Sequence, residues 1–245
     1  MKARLVVKGC SQKWGVDFFE TYAPVVRAES AKLLIVEAFL LDWYIDQLDV
    51  KDAYLNGNID VPIYMKQPPG HEDSEFRDHV CRLLRALYGL KQAGRAWHKM
   101  LIKFLIAHGY KQTVKDPCVL IKTTEKGTSI ILLYVDDILP LSSCLELRTY
   151  AKQLIMSRFK TRDLGPLKQF IGLEIERTPE TLSFAQLDYS EQILHRFGMQ
   201  NAKPNRYPLQ KPAKRRQSGD NTPTKIAGGS TQQPKPGETG CILTR

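Results

Sequence analysis

The sequence predicts an α+β fold, in which an antiparallel sheet packs on helices. Short stretches alternate apolar and polar residues, longer stretches repeat apolar residues with helical spacing, and residues 129–143 (SIILLYVDDILPLSS) resemble two apolar strands around a turn. This mixture of helices and antiparallel strands is the α+β pattern. With 245 residues, 42% of them hydrophobic, the chain can form one domain with a sizeable core, or one domain plus a tail.

The first part of the chain is predicted to contain two strands and two helices. Residues 1–8 alternate in polarity, which predicts a strand. Ser30 is predicted to cap a helix that continues to about residue 43. Residues 44–50 (YIDQLDV) predict a short strand, and residues 65–78 predict a loop by their proline, glycine and charge. Residues 94–110 then predict an amphipathic helix.

The second part is predicted to contain two hairpins and two helices. Residues 129–143 predict a strand, a tight turn and a second strand. A helix is expected at about 145–160, followed by a hairpin over 168–186 that turns at 178–181. Residues 189–198 predict a short helix.

The end of the chain differs in composition from the rest. Six of the 14 prolines lie after residue 203, among Gly, Ser, Thr and Gln. Such a segment buries too little apolar surface to offset its chain entropy, so residues 210–245 are predicted to be a disordered basic tail. From Lys203 onward the chain has nine Lys and Arg against two Asp and Glu, which is +7 of the net charge of +10, so the charge says little about partners of the folded body.

Several classes of protein are disfavoured by the composition. The five cysteines are scattered without a C-x-x-C pair, so neither a zinc site nor a disulfide framework is predicted. No stretch approaches the roughly 18 apolar residues of a membrane span, and the start is too short in apolar residues for a signal peptide. We expect an intracellular protein, cytoplasmic or nuclear and not secreted, with no membrane partner.

Three aspartates are candidates for a shared metal site. Asp49 lies near the end of one predicted strand, and Asp136 and Asp137 form the tip of the later hairpin. If the two strands are neighbours, the carboxylates meet, and like charges about 4 Å apart repel by roughly 4 kcal/mol at an effective dielectric near 20. A bound cation relieves this repulsion, and carboxylate oxygens favour Mg²⁺. The alternative is that the Asp pair is ordinary solvated turn chemistry, although the apolar flanks weaken it.

Several sequence blocks, taken together, resemble a known family. YVDD follows LDVKDAYLNG, and further blocks stand in the same order as in the family. They resemble the polymerase of copia-type LTR retrotransposons, part of a Pol polyprotein, from about Lys2 to Leu209. The remaining blocks are KARLVVKGCSQKWGVDFFETYAPVVR, MKQPPG, ALYGLKQAGRAW and DLGPLKQFIGLEI.

The resemblance implies a reverse transcriptase domain, that is, an RNA-directed DNA polymerase, over residues 1–209. Its fold would be a polymerase palm (about 44–54 and 111–200) with partial fingers (about 1–43 and 55–110). The implied cofactor is a pair of Mg²⁺ ions, with Mn²⁺ as an alternative. The implied partners are an RNA template, a DNA or RNA primer and deoxynucleoside triphosphates, with another Pol-derived chain as a candidate.

The resemblance also implies roles for individual residues. Tyr54 matches an aromatic gate against the ribose 2′-hydroxyl, although its position alone also suits core packing. Arg4 would bind phosphate bidentately, although it also suits a solvated strand face. The implied catalytic and metal-binding groups are Asp49, Asp136, Asp137 and the backbone carbonyl of Val50. The implied nucleotide-binding residues are Arg4, Lys8, Asp52, Ala53, Tyr54 and Gln92. The implied primer or template contacts are Gly94, Arg95, Ile171 and Gly172, the last two in what could equally be a plain structural hairpin.

The chain departs from the family pattern at four points. The opening fingers strands are missing, Gly94 replaces a usual proline, and Pro140 is expected to interrupt the strand after the Asp pair. The similarity stops near YPLQKP, before the thumb-like continuation and the RNase H domain. A second hypothesis is therefore a catalytically inactive truncated remnant that at most binds nucleic acid. A third is a phospho-acceptor receiver domain, in which the Asp pair lies near the chain start and a helix follows.

Overall fold

The computed structural model describes residues 4–203, and the elements below all lie within the compact unit Met1–Gln200. The tail predicted for 210–245 lies outside the described residues. The helices are α1 (Ala28–Leu40), α2 (Ala93–Ala107), α3 (Leu145–Arg158) and α4 (Leu187–Arg196). The strands are β1 (Tyr44–Val50), β2 (Tyr64–Lys66), β3 (Val80–Arg82), β4 (Lys111–Gln112), β5 (Val119–Thr124), β6 (Gly127–Tyr134), β7 (Asp137–Ser142), β8 (Thr161–Pro166), β9 (Gln169–Phe170), β10 (Leu173–Arg177) and β11 (Leu182–Ala185).

A six-stranded antiparallel sheet is the centre of the fold, with strand order β4-β5-β6-β7-β1-β8. β1 therefore lies between β7 and β8, although it precedes both by many residues in the chain. Two smaller antiparallel sheets, β2-β3 and β11-β10-β9, complete the strands. The mixture of helices and antiparallel sheet confirms the α+β prediction.

The apolar sequence of the central hairpin follows from its position in the sheet. Consecutive residues of β6 and β7 are buried, including Ile131, Leu132, Ile138 and Leu139, so both faces of these strands are covered. A strand covered on both faces lacks the alternation of a half-solvated strand. Helices α1, α2 and α3 supply the cover, and Trp97 of α2 is among the large side chains of this core.

The predicted strand over residues 1–8 is wrong for its described part, because residues 4–8 form no strand. The chain crosses the loop before α2, and the Val7 N–H donates to the Tyr88 carbonyl at 2.8 Å. A Cβ on Gly9 would overlap the Gly89 carbonyl oxygen, so the two glycines permit this close crossing. The alternating residues 4–8 therefore make a backbone hydrogen bond to one loop and do not join a sheet.

The predicted cap of α1 is also wrong. The helix begins at Ala28, and Ser30 lies inside its first turn. Arg27 precedes the helix in an extended conformation, and its N–H donates to the Asp116 carboxylate at 3.0 Å. A residue distant in sequence therefore fixes the start of α1, which a local capping signal does not reveal.

Pro140 does not interrupt its strand. β7 continues through Pro140, which lies opposite Ile131 of β6. On the other side, the pairing of β7 with β1 is open at Asp46 and Gln47, where β1 also bulges against β8. The missing proline N–H is tolerated because the ladder has a gap at this point.

The other predicted elements of the second half lie close to where the sequence indicated. Within residues 4–203, no helix combines the length and apolar character needed to cross a membrane.

Candidate active site

The strand order brings Asp49 to the tip of the central hairpin. Asp49 on β1 lies directly opposite Asp137 on β7, and the Val50 N–H donates to the Asp136 carbonyl at 2.8 Å. Side chains directly opposite each other in an antiparallel pair face the same side of the sheet. Asp49 and Asp137 are half-buried, whereas Asp136 is exposed. The three aspartates thus lie at the same end of β1 and β7, here called the carboxylate edge, as the sequence predicts if the two strands are neighbours.

The hairpin tip is a two-residue loop in a strained conformation. Tyr134 pairs with Asp137, so Val135 and Asp136 form the loop between β6 and β7. Val135 has a φ of 57°, whereas Asp136 does not have a positive φ. This pattern is that of a type II′ turn, in which glycine usually occupies the first position. An antiparallel strand follows the Asp pair, which argues against the receiver-domain alternative.

Electrostatic repulsion acts on the Asp137 carboxyl. Burial raises the pKa of Asp137, and the nearby carboxylates of Asp136 and Asp49 raise it further. The Gln47 side chain opposes this effect, because its Nε2 lies 3.4 Å from Asp137 Oδ1 and donates a hydrogen bond that favours the ionised form. Ionisation of Asp137 beside the carboxylates of Asp136 and Asp49 is therefore disfavoured.

The chemistry of these donors fits a magnesium ion. All three groups are hard oxygen ligands, and a divalent cation would offset both the burial and the mutual repulsion that raise the pKa of Asp137. Within residues 4–203, no group of three or more His, Cys, Asp or Glu side chains is close enough together to hold a metal ion. The backbone therefore brings the aspartates to one edge, but their side chains do not form a closed metal cage.

Tyr54 lies beside the carboxylate edge. β1 leads through Asp52, whose φ is 53°, into a single 3₁₀ turn at Ala53–Asn56 that holds Tyr54. The Tyr54 ring is half-buried and packs edge-on against Tyr88, with the ring centroids 5.0 Å apart. Tyr54 lines a cavity together with Trp97 and Val135, the residue before Asp136. Burial raises the pKa of Tyr54, and the charge of Asp136 raises it further. Ala53 is buried under the same turn.

Gln92 makes its side-chain hydrogen bonds within the protein. Its Nε2 donates to the Asp17 carbonyl at 2.8 Å, and its Oε1 accepts from Gln12 Nε2 at 3.0 Å. Gln92 is buried and holds the segment around residues 12–17 against the start of α2. Contact of Gln92 with a nucleotide or template stays a prediction.

Gly94 and Arg95 also face the N-terminal segment. A Cβ on Gly94 would meet the Ala23 side chain at 3.4 Å. Arg95 forms an ion pair with Glu20, and its Nη1 donates to the Tyr22 carbonyl at 3.3 Å. Gly89 likewise packs against the N-terminal segment, because a Cβ there would overlap the Val7 carbonyl.

The two cations assigned to phosphate binding differ in their surroundings. The guanidinium of Arg4 lies over the Tyr88 ring, 5.4 Å from its centroid. Burial raises the pKa of Tyr88, Asp52 raises it further, and the positive charge of Arg4 opposes this change. Lys8 is exposed, and its carbonyl accepts the Ser11 hydroxyl at 2.8 Å. Arg4 therefore packs on the aromatic ring that itself packs against Tyr54, and binding of phosphate by either cation stays a prediction.

The hairpin with Ile171 and Gly172 contacts the β6–β7 hairpin through an aromatic pair. These two residues form the loop between β9 and β10, with φ values of 50° and 70°. A positive φ at both positions is typical of a type I′ turn. Phe170 packs edge-on against Tyr134, with the ring centroids 6.1 Å apart, and so connects this loop to the hairpin bearing Asp136.

Sequence reasoning missed three residues around the site. Gln47 donates to Asp137, Tyr88 packs on Tyr54, and Trp97 Nε1 donates to the Val135 carbonyl at 2.7 Å. The alternation of β1 could have identified Gln47, which is on the same side as Asp49. Tyr88 and Trp97 lie within the block ALYGLKQAGRAW, but their partners depend on the tertiary fold.

Comparison with known proteins is consistent with this geometry. The family described as reverse transcriptase (RNA-dependent DNA polymerase) matches residues 1–211. The Retrovirus-related Pol polyprotein from transposon TNT 1-94 of Nicotiana tabacum is 44% identical over 211 residues, which cover 85% of this chain and 16% of that protein.

Two proteins of Arabidopsis thaliana are also similar. They are the Retrovirus-related Pol polyproteins from transposons RE2 and RE1, which are 39% identical over 210 residues and 38% over 208. Each match covers 85% of this chain but only 14% of the relative, so the chain spans a small part of these polyproteins. The match by family and by relatives confirms the resemblance, and the chain belongs to the reverse transcriptase family.

Proposed function

We propose that this chain is the polymerase part of a retrotransposon Pol polyprotein and catalyses RNA-templated DNA synthesis. The observation that carries the proposal is the pairing of Asp49 with Asp137 beside the turn that holds Asp136. In the proposed reaction, the primer 3′-hydroxyl attacks the α-phosphate of a deoxynucleoside triphosphate, the new phosphodiester forms, and pyrophosphate leaves.

The aspartates would hold two magnesium ions, with the Val50 carbonyl as a further ligand. The ions, when bound, would stabilise the attacking and leaving oxygens of the displacement. The protein's own part is mainly positioning and electrostatic. In this arrangement β1 and the β6–β7 hairpin act as the palm, and the segments before β1 and after Tyr54 act as partial fingers.

Tyr54 is proposed to exclude ribonucleotides. Its ring is held by Tyr88 next to the carboxylate edge, where it would occupy the space of a ribose 2′-hydroxyl. Arg4 is proposed to bind the triphosphate, since a guanidinium can donate two hydrogen bonds to one phosphate. Ile171 and Gly172 would contact the primer end through the hairpin that packs on Tyr134.

The main experiment is primer extension with the full chain, purified as a single peak by gel filtration. Oligo-dT on poly-rA is extended with dTTP in Mg²⁺ or Mn²⁺, and Asp136→Asn and Asp49→Asn are compared with wild type. We expect incorporation by wild type and its loss in both variants. The exposed Asp78→Asn serves as the matched charge control and should remain active.

The second candidate is an inactive remnant that at most binds nucleic acid. It is favoured by the side-chain positions within residues 4–203, where no three or more His, Cys, Asp or Glu groups lie close enough together to hold a metal ion. Wild type that incorporates nothing in either metal, and is indistinguishable from Asp49→Asn, would support the remnant. Retention of labelled RNA by such a protein would then identify it as a binding protein.

The gate has its own experiment. Tyr54→Ala should increase the incorporation of ribonucleotides relative to deoxynucleotides, whereas Tyr54→Phe, which keeps the ring, should retain the wild-type selectivity. Equal selectivity in wild type and Tyr54→Ala would remove the gate assignment and leave Tyr54 as a packing residue.

A further inference from the structure

The turn that bears Asp136 is held in a conformation that its sequence disfavours. Val135 has a φ of 57° at a position where glycine is usual. A β-branched residue is a genuine outlier there, because its side chain crowds the backbone. Such strain persists only where surrounding contacts determine the conformation. Some group must therefore stabilise the Val135 backbone.

Trp97 is the side chain that does so. Its indole N–H donates to the Val135 carbonyl at 2.7 Å, and the residue is only 1% exposed. The ring packs edge-on against Phe159, with the centroids 5.0 Å apart. Its backbone is also confined, because a Cβ on Gly57 would lie 2.9 Å from the Trp97 nitrogen. The donor thus has a fixed position from which to hold the turn.

The next carbonyl of the turn is held by a different element. The Val50 N–H of β1 donates to the Asp136 carbonyl at 2.8 Å. Two consecutive carbonyls are therefore fixed by α2 and by β1. The Asp136 side chain is exposed and makes no hydrogen bond to residues 4–203, so its direction depends on the backbone that these donors fix.

We propose that Trp97 is a positioning residue of the active site. Its indole N–H holds Val135 in its positive-φ conformation and thereby directs the Asp136 carboxylate toward Asp49 and Asp137. Trp97 touches neither substrate nor metal and acts only through the turn. This inference rests on the proposed polymerase function for its catalytic consequence, but the hold on the turn is a property of the fold.

A double-mutant cycle between Trp97 and Val135 tests the proposal. Trp97→Phe keeps an aromatic ring but removes the N–H, whereas Val135→Gly allows the positive φ without strain. Trp97→Phe should lower kcat by about tenfold, the effect of losing one well-placed hydrogen bond, with little change in KM for dTTP. In the Val135→Gly background, the same change should cost clearly less, so the two effects are not additive.

The cycle is also measured without catalysis. Urea unfolding of the four proteins should show that Trp97→Phe destabilises the Val135→Gly protein less than wild type. The matched control is Trp14→Phe: it also loses an indole N–H bonded to a carbonyl, that of Phe19 at 3.0 Å, but on an exposed ring. Its effect should be small and the same in both backgrounds.

The outcomes separate the inference from the proposed function. Coupling in unfolding together with an inactive wild type would overturn the polymerase proposal and leave the hold on the turn intact. Additive effects in both assays would overturn the role of Trp97 and leave the polymerase proposal standing. If Trp97→Phe does not fold, site-specific replacement of Trp97 by benzothienylalanine, which keeps the ring size but lacks the N–H, takes its place in the same cycle.

Discussion

Asp46, three residues before Asp49 on β1, accepts two hydrogen bonds from the guanidinium of Arg148 on α3, at 2.6 and 2.7 Å. The Asp46 carboxylate is completely buried, whereas the Arg148 side chain is 27% exposed. Lys152 lies 3.5 Å from the same carboxylate and also pairs with Asp163 of β8. This group of charges fastens the strand that carries Asp49 to the helix behind it.

The first prediction concerns this ion pair. Arg148→Met should destabilise the protein by about 3 kcal/mol, because it leaves a buried carboxylate with only the more distant Lys152. Asp46→Asn should cost less, since the arginine left behind reaches solvent. Urea unfolding at pH 7 measures both changes. Lys126→Met, which removes the exposed pair with Glu146, is the control and should have little effect on stability, because solvent screens an exposed ion pair. Equal costs for all three variants would contradict the prediction.

The second prediction concerns Gly57, which packs against α2, and Gly94, which lies within that helix. Gly57→Ala should destabilise the protein by about 1–3 kcal/mol, because its Cβ would lie 2.9 Å from Ala96 Cβ and from the Trp97 nitrogen. Gly94→Ala should stabilise it by about 0.4–1 kcal/mol, because the Cβ meets only ordinary contacts and the unfolded chain loses freedom. Thermal unfolding of the two variants should shift the melting temperature in opposite directions, and shifts in the same direction would refute the argument.

The third prediction is that Asp137→Asn stabilises the metal-free protein at pH 7. Burial, and then Asp136 and Asp49, raise the pKa of Asp137 above its unfolded value. A carboxyl with a raised folded pKa lowers stability as the pH rises from the unfolded toward the folded pKa, and an amide avoids this loss. The advantage of the variant should disappear at acidic pH, where both proteins are neutral at this position. Urea unfolding across pH in EDTA measures it, and a variant less stable than wild type at pH 7 would contradict it.

The fourth prediction concerns the carboxylate that starts α1. Burial opposes ionisation of Asp116, but the N–H groups of Arg27 and Cys118 and the Ser30 hydroxyl outweigh it, so the pKa of Asp116 is lowered. A depressed folded pKa contributes stability above the unfolded pKa, and this contribution is lost as the pH falls through the folded value.

Asp116→Asn should therefore be less stable than wild type at pH 7 and should lose less stability on acidification. Urea unfolding between neutral and strongly acidic pH measures the two slopes. The exposed Asp78→Asn is the control and should follow wild type throughout. Parallel curves for wild type and Asp116→Asn would show that the carboxylate does not act in this way.

Elements with a clear local period could be predicted from the sequence. β1, α2, α3 and the central hairpin have apolar patterns that arise from one face or two faces packed in the core, and the structure has them near the predicted positions. The convergence of the aspartates depends on the assumption that β1 and the hairpin are neighbouring strands. The pairing of Asp49 with Asp137 confirms this assumption.

Features that depend on distant contacts could not be predicted in this way. The start of α1 is set by Asp116, and residues 4–8 follow the loop at Tyr88 rather than a strand partner. The bonding of Gln92 to Gln12 and Asp17 likewise appears only after the chain has folded. Val135 lies within the YVDD block, but its positive φ and its bond to Trp97 depend on the tertiary fold.

The position of β1 between β7 and β8 has a consequence for synthesis on the ribosome. The strand with Asp49 leaves the exit tunnel long before either neighbour exists, so its edges have no native partner while most of the body is translated. Such non-local pairing is slow to form and exposes strand edges in the meantime. A nascent chain released before β8 would carry all three aspartates yet lack one of the two strands that flank Asp49.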